Sequence, residues 1–202
     1  MNKQPIPAPA RTGLFFDTET TGIPDWKIPS NDPAQPHMTQ LAAILANLDT
    51  REPISSMNVV IYPDSWAIPQ EVVDVNGVNS TYARKVGVNE EVALRLFLEM
   101  WQRADTRMAY NTTFDNRIIC IAIKRYLDEA TAALWKSADY ECQMVAAKKH
   151  LGVKSIRLEA ALQAICGRDL PDAHDAMADT QACMDIYFAL QAEGSSGDIP
   201  IV

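Results

Sequence analysis

The spacing of apolar residues changes near the middle of the chain. Dense apolar runs occupy the first third and predict short strands at 13–17, 40–48 and 57–62, which together would form a meander. Residues 23–39 contain four prolines, and this composition predicts a long loop between the first two strands.

Apolar residues recur at helical spacing in the second half. Asn89 is the predicted N-cap of a helix with an acidic first turn and an apolar stripe made of Val92, Leu96, Phe97 and Met100. Further helices are predicted at 114–127, 141–151, 158–166 and 175–192, with one short strand at 106–110. Strands that precede helices, with one strand returning to the sheet, indicate an α/β domain in which helices cover a mixed sheet.

Length and composition fit one globular domain. The chain has 202 residues, 48% of them hydrophobic, and a chain of this size buries enough surface to fold without disulfides or a structural metal. We predict a flexible tail at 1–12, a folded domain at 13–192 and a second tail at 193–202. The net charge of −8 argues against a broad basic face for nucleic acid, although an enzyme can obtain positive charge from bound metal ions.

The spacing of the cysteines and the composition of the first residues indicate the cellular compartment of the protein. The cysteines lie too far apart in sequence for a zinc site or a redox pair, so we predict buried free thiols in a reducing compartment at Cys120, Cys142, Cys166 and Cys183. Residues 1–12 hold three prolines and no apolar run, which predicts neither a secretory signal nor a membrane span. The expected location is cytoplasmic.

Two carboxylates stand at the end of the first predicted strand. Asp17 and Glu19 are two residues apart and therefore point to the same face of the sheet. Like charges this close repel unless a cation lies between them. A divalent metal site is one interpretation of the pair, and a solvated strand end is the other.

Two more carboxylates lie on the apolar stripes of predicted helices. Asp115 shares a helix face with Ile118, and Asp179 shares one with Cys183, so both acids should face the sheet. A carboxylate that faces a core must be neutralised, paired or bound to a metal. For Asp115 the alternative to a metal site is that its negative charge simply interacts favourably with the positive N-terminal end of the helix.

His174 precedes the last predicted helix and could approach the same acids from solvent; a plain surface histidine is the alternative. If the layout is right, three acidic elements and one histidine converge. Hard carboxylate oxygens suit magnesium or manganese, and two such ions can hold an in-line displacement at phosphorus. This combination predicts hydrolysis of phosphodiesters.

Three segments carry these residues: Asp17–Gly22 (DTETTG), Asn111–Asp115 (NTTFD) and His174–Asp179 (HDAMAD). In order, spacing and flanking residues they resemble the exonuclease motifs of the DnaQ-like 3′–5′ exonucleases, in the DEDDh subgroup whose last acidic residue follows a histidine. The resemblance covers about residues 13–191. It implies an α/β RNase H-like fold with a mixed, five-stranded, parallel and antiparallel sheet flanked by helices.

The resemblance implies a role for each matched residue. Asp17, Glu19 and Asp179 would bind one metal ion, while Asp17 and Asp115 would serve a second, so the implied cofactors are two Mg²⁺ or Mn²⁺ ions. His174 would be the general base that takes a proton from the attacking water. The ordinary pKa of an imidazole lies near neutral pH, which suits this task.

The resemblance also implies a binding site for the terminal nucleotide, made by Thr18, Thr20, Thr21, Gly22, Asn111 and Phe114. The chain departs from the family at Asn76 and Tyr110, where histidines are frequent, and we expect altered substrate handling rather than loss of chemistry. Trp26, in the predicted loop, could stack on a base or merely anchor the loop.

We therefore predict a metal-dependent exonuclease that releases nucleoside 5′-monophosphates from the 3′ end of nucleic acid, with single-stranded DNA in proofreading or repair as the first choice. One alternative is an RNA-trimming, oligoribonuclease-like enzyme, and another is a nuclease-fold binding module with a vestigial site. An aspartyl-phosphate phosphatase is weaker, because it would need an aspartate in place of Glu19 and would leave His174 without a role.

Because the chain is so acidic, we expect it to bind long nucleic acid only weakly. Arg117, Lys154 and Arg157 are candidates for local attraction of the substrate. A polymerase or helicase partner could strengthen binding to nucleic acid, and the terminal segment Ile199–Val202 is a candidate docking peptide for such a partner. The alternative interpretation of this segment is an ordinary frayed terminus.

Overall fold

The computed structural model describes residues 8–194. Its sheet consists of β1 (Thr12–Thr20), β2 (Met38–Asn47), β3 (Pro53–Val60), β4 (Thr106–Ala109) and β5 (Tyr140–Cys142). The strands lie in the order β3-β2-β1-β4-β5; β1, β2 and β3 form an antiparallel meander, and β4 and β5 are parallel to β1 and to each other. The predicted mixed, five-stranded sheet is therefore confirmed.

Eight helices flank the sheet within the described residues. They are α1 (Gln70–Asn76), α2 (Ser80–Val86), α3 (Glu90–Trp101), α4 (Thr112–Tyr126), α5 (Glu129–Ser137), α6 (Gln143–Leu151), α7 (Leu158–Cys166) and α8 (Ala176–Gly194).

The alternation of side chains along β1 divides the core into two clusters, one on each face of the sheet. Leu14 and Phe16 pack with α3, α4 and α5, whereas Phe15 points the other way and meets Tyr187 and Phe188 of α8. The same alternation directs the residues beyond Phe16 to opposite faces. It explains why Asp17 and Glu19 face α8 while Thr18 faces α4.

Three helices and one strand differ from the sequence prediction. The helices α1 and α2, with seven residues each, are too short to display an apolar period, and α5 was missed although Asp128 caps it by accepting a hydrogen bond from the Thr131 N–H. The predicted helix at 141–151 was wrong at its start, because Glu141 and Cys142 belong to β5. Pairing with β4 outweighs local helical spacing there.

The buried face of α3 also differs from the predicted one. Asn89 caps the helix as expected, accepting hydrogen bonds from the Glu91 and Val92 N–H groups. However, Val92 is 57% exposed and Leu96 50% exposed. Apolar residues occupy more than one side of this helix, and the side that meets the sheet holds Glu90, Ala93, Leu94, Phe97 and Leu98.

Three further predictions concern the cysteine side chains, membrane-spanning segments and the two terminal tails. All four cysteines are free thiols as predicted; Cys120 and Cys183 are buried, but the prediction of burial was wrong for Cys142 and Cys166, which are half-buried. None of the helices in residues 8–194 has the length and apolar character that a membrane crossing requires. Thr12 belongs to β1 and α8 continues to Gly194, whereas residues 1–7 and 195–202, including Ile199–Val202, lie outside the described residues.

Candidate active site

The first acidic motif lies where β1 leaves the regular sheet. Glu19 pairs with Gln40 of β2, but Thr20 pairs with Met38, so Thr39 is an extra residue in the β2 strand of this ladder. Such a bulge re-aims side chains at a strand end and is frequent beside active sites. It directs the chain after Thr20 into the loop 21–37.

One cleft of about 310 Å³ contains all five residues to which catalytic roles were assigned. Its lining consists of Asp17, Thr18, Glu19, Thr20, Tyr110, Asn111, Phe114, Asp115, Leu158, His174 and Asp179. Three separate parts of the chain thus converge: the end of β1, the start of α4, and the start of α8 with the turn before it.

Glu19, His174 and Asp179 lie close enough to share one ion. A ligand atom of each lies within 4.8 Å of those of the other two. In addition, Asp179 Oδ1 is buried and has no hydrogen-bond partner. A buried carboxylate oxygen without a partner is costly, and a bound cation removes that cost. The residues therefore fit a divalent metal ion.

Burial is the largest cause that raises the pKa of each of the four carboxyl groups, and neighbouring negative charges add to each rise. The pKa of Asp17 is well above its ordinary range, first because of burial and then because of the charges of Asp115, Asp179 and Glu19. Burial, with the charge of Asp179, raises the pKa of Glu19 to about 8. Burial raises the pKa of Asp115 to about 7 and that of Asp179 to about 6. Cations would favour the ionised form of every one of these groups.

Asp115 is held in place by the first motif. The Thr18 hydroxyl donates to Asp115 Oδ1 at 2.8 Å, and the Thr18 backbone N–H donates to the same oxygen at 3.1 Å. These bonds oppose the rise in the pKa of Asp115. The Thr18 side chain thus orients a carboxylate across the cleft.

His174 lies in a turn that α8 and β2 fix together. Its φ of 69° is in the left-handed region, which few residues other than glycine adopt. The next residue, Asp175, accepts hydrogen bonds from the N–H groups of Met177 and Ala178 and thereby caps α8. Gln40 of β2 donates to the other oxygen of Asp175 at 2.9 Å. The exposed imidazole is therefore anchored through its neighbour.

The proposed nucleotide-binding residues are not equivalent in the structure. Thr18, Thr20, Asn111 and Phe114 line the cleft, whereas Thr21 and Gly22 do not. Thr21 instead holds the loop closed, because its hydroxyl accepts from the His37 N–H and its own N–H donates to the His37 carbonyl. A substrate role for Thr21 and Gly22 remains a prediction.

Three further residues lie at the site, of which the sequence had singled out Asn76 and Tyr110 as departures from the family but had not indicated Leu158. Leu158 lines the cleft as the first residue of α7, where a leucine would be expected to belong simply to the core. Asn76, at the end of α1, interacts with Glu19 through its side chain and opposes the rise in that group's pKa. Tyr110 lines the cleft and donates its hydroxyl hydrogen to the Ile156 carbonyl at 3.1 Å.

The loop 21–37 carries Trp26, which is 55% exposed. The guanidinium of Arg117 lies 5.4 Å from the centre of its ring and donates to the Ile28 carbonyl at 2.8 Å. Gln35 ties the loop together with hydrogen bonds to the backbone of Asp25, Ile28 and Pro29. Arg117, a candidate for attracting substrate, is therefore engaged in holding the loop.

A mixed sheet with convergent carboxylates at the end of its central strand defines a nuclease-like protein of the RNase H-like fold. The exonuclease family model, RNase_T, matches residues 14–187, which is most of the chain. The chain therefore belongs to this exonuclease family, the DnaQ-like 3′–5′ exonucleases, and the family resemblance seen in the sequence is confirmed. A search of curated proteins finds no match to the chain.

Several solved structures share the fold. A zinc-bound complex of Escherichia coli exonuclease I with single-stranded DNA is 22% identical, has a TM-score of 0.74, and covers 92% of this chain and 42% of its own. The same enzyme with a dA16 oligonucleotide is 20% identical, with a TM-score of 0.74 and the same coverage. Exonuclease I from Methylocaldum szegediense is 19% identical, with a TM-score of 0.71, and covers 92% of this chain and 41% of its own. The chain thus spans about two fifths of the length of these structures.

Proposed function

We propose that this protein is a metal-dependent 3′–5′ exonuclease that removes nucleoside 5′-monophosphates from single-stranded DNA. The observation that carries the proposal is the convergence of Asp17, Glu19, Asp115, Asp179 and His174 in one cleft, where Asp179 Oδ1 is buried without a partner. The charges of Asp115, Asp179 and Glu19 raise the pKa of Asp17, and bound cations would remove this repulsion.

The residues that would hold the metals follow from the resemblance and from the donor atoms available. Asp17, Glu19 and Asp179 would bind one ion, and Asp17 and Asp115 the second. Carboxylate oxygens suit Mg²⁺ or Mn²⁺. When bound, such ions supply Lewis-acid stabilisation to the attacking and leaving oxygens of the phosphodiester.

The side chains of the cleft would perform the remaining steps. His174 accepts a proton from the attacking water, which suits its exposed position beside Glu19 and Asp179. The water oxygen forms a bond to phosphorus as the bond from phosphorus to the 3′ oxygen of the preceding nucleotide breaks. Thr18 keeps Asp115 oriented, and the Asp175 cap with Gln40 keeps the His174 turn in place.

Single-stranded DNA is the proposed substrate because exonuclease I, which shares this fold, has been solved with DNA oligonucleotides. Thr18, Thr20, Asn111 and Phe114 would surround the terminal nucleotide, and the exposed ring of Trp26 would offer a stacking surface for a base. A polymerase or helicase partner, and a role in proofreading or repair, remain predictions from the sequence.

The test is to incubate the protein with end-labelled single-stranded DNA and with RNA of the same sequence, in the presence of Mg²⁺ or Mn²⁺ and then of a chelator. We expect a 3′ label to be released first, the chelator to stop release, and DNA to be degraded faster than RNA. Faster degradation of RNA would reassign the substrate. Prior release of a 5′ label, or cleavage that persists in chelator, would refute the exonuclease proposal.

A further inference from the structure

One stretch of the chain departs from its overall acidity. Residues 148–157 (KKHLGVKSIR) contain no acidic side chain and hold four of the 18 basic residues in a protein whose net charge is −8. The four are Lys148, Lys149, Lys154 and Arg157. We call residues 148–157 the basic segment; it comprises the end of α6 and the connection to α7.

The charges of the basic segment are not neutralised by the protein. Several basic side chains elsewhere are paired with acids, as Arg95 is with Glu91 and Arg168 with Asp185. None of the ion pairs or side-chain hydrogen bonds found among residues 8–194 involves the four basic side chains of the segment. Lys149, Lys154 and Arg157 are also exposed. Their positive charge is therefore available to a ligand.

The basic segment ends at the rim of the catalytic cleft. The residue that follows Arg157 is Leu158, which lines the cleft. One residue before Arg157, the Ile156 carbonyl accepts the hydrogen bond from Tyr110, a residue that is 8% exposed and also lines the cleft. This bond attaches the segment to the residue that follows β4, so the chain on both sides of Arg157 lies at the rim of the cleft rather than on a remote surface.

We propose that the basic segment binds the backbone phosphates of the substrate strand on the 5′ side of the cleaved bond. This inference rests on the proposed function, because a cleft that holds a 3′-terminal nucleotide leaves the rest of the strand to pass over a rim. Successive phosphates are stabilised where unpaired Lys and Arg side chains lie along that path. The segment would thus attract the substrate electrostatically at one place on a protein whose net charge is negative.

The test compares two double variants that lose the same charge. Lys154→Gln with Arg157→Gln removes charge at the rim, and the matched control, Lys85→Gln with Lys136→Gln, removes it from exposed positions outside the basic segment. Each is assayed with Mn²⁺ on a single-stranded DNA oligonucleotide and on thymidine 5′-(p-nitrophenyl phosphate), which has one phosphodiester and no upstream phosphate.

For the rim variant we expect the KM for the oligonucleotide to rise on the order of tenfold at about 0.1 M salt, and the slope of log KM against log salt to fall by about 1.4, since each single-strand phosphate contact contributes about 0.7. Its kcat on the oligonucleotide and its rate on the small ester should equal those of the wild type. The control should match the wild type on both substrates.

An oligonucleotide KM for the rim variant that equals that of the control would overturn the inference, as would an equal loss on the small ester. Failure of the proposed function would look different: the wild type would cleave neither substrate in a metal-dependent way, and both proposals would fall together.

Discussion

Two carboxylates, Asp179 of α8 and Glu90 of α3, occupy the same kind of position and behave in opposite ways. Each lies within the first turn of a helix, on the side that packs against the sheet. Burial raises the pKa of Asp179 to about 6, and its Oδ1 has no partner. Burial would also raise the pKa of Glu90, but its hydrogen-bond partners, above all His37, lower that pKa below its ordinary value.

The difference lies in what surrounds each acid. Glu90, only 3% exposed, accepts hydrogen bonds from the Met38 N–H at 2.8 Å and from the Tyr126 hydroxyl at 2.7 Å, and it contacts His37 at 2.6 Å and Arg125 at 3.6 Å. A cavity of about 640 Å³, about twice the volume of the cleft that contains Asp179, is lined by Glu90, His37, Arg125 and Tyr126, and in it Trp66 stacks on His37. The protein itself satisfies Glu90, whereas Asp179 keeps an oxygen without a partner, which the proposed metal ion would contact.

The largest expected effect comes from removing a carboxylate that both metals would share. Asp17→Asn should lower turnover by about 10³-fold, because metal ions contribute several kcal/mol to the transition state and each 1.36 kcal/mol is a factor of ten. The same change removes repulsion from the metal-free protein, so its melting temperature should rise. Turnover of single-stranded DNA and thermal melting in chelator check both effects. Wild-type turnover would remove Asp17 from the metal site.

The next effect separates proton transfer from metal binding. His174→Ala should lower turnover by about 10²-fold, since loss of a general base costs at least that much. Mn²⁺ binding, measured by calorimetry, should be retained, because the four carboxylates are intact. If the variant instead loses Mn²⁺ binding together with turnover, His174 is a metal ligand and not the base.

The structural role of Glu90 is tested by measuring the stability of a variant that lacks its charge. Glu90→Gln should lower the free energy of unfolding by about 3 kcal/mol, since breaking the buried ion pair leaves the Arg125 guanidinium uncompensated and disturbs the hydrogen bond with His37. Turnover per folded molecule should stay at the wild-type value. The matched control is Glu91→Gln, an adjacent and partly exposed acid, for which denaturation by urea should reveal little change. A loss of catalysis in Glu90→Gln would erase the distinction between the two carboxylates.

A smaller effect concerns pH. Raised carboxyl pKa values at Glu19, Asp115 and Asp179 mean that the folded protein binds protons more tightly than the unfolded chain, so these groups stabilise it most at low pH. Without metal, the melting temperature should fall as pH rises from about 5 to about 8, by on the order of 5 °C. Mg²⁺ should restore it at the upper pH and have little effect at the lower one.

Glu90 should contribute a pH dependence of the opposite sign. Its lowered pKa stabilises the folded protein above the ordinary glutamate value of 4.5, and this contribution is lost on acidification below that value. The difference in stability between the wild type and Glu90→Gln should therefore shrink in acid. A metal-free melting temperature that rises steadily from about pH 5 to about pH 8 would contradict the raised pKa values in the catalytic cleft.

The sequence indicated the acids of the cleft better than it indicated Glu90. Asp115 and Asp179 stood out because apolar residues follow them at helical spacing, and the bounds of α7, 158–166, were predicted as observed. Glu90 was overlooked because apolar residues lie around much of α3, so Val92 and Leu96 were assigned to the wrong face. Its partners come from the loop at His37 and from α4, and no local spacing reveals such distant contacts.

The same limit applies to the details of the cleft. The bond between Gln40 and Asp175 joins residues 135 positions apart, and the Thr18 hydroxyl reaches Asp115 across 97. Glu141 and Cys142 of β5 were assigned to the start of a helix because this short strand gains its geometry only from pairing with β4. Motif residues can thus be found from sequence, whereas the contacts that orient them depend on the folded sheet.

The most direct test of the central claim is calorimetric titration of Mn²⁺ at about pH 8, in the presence of a nucleoside 5′-monophosphate. If the cleft assembles its acids for metal ions, the wild type and Glu90→Gln should each bind about two ions per chain, and Asp17→Asn should lose both, because Asp17 would serve each site. Mn²⁺ binding by Asp17→Asn that equals the wild type, or no binding by the wild type, would contradict the claim.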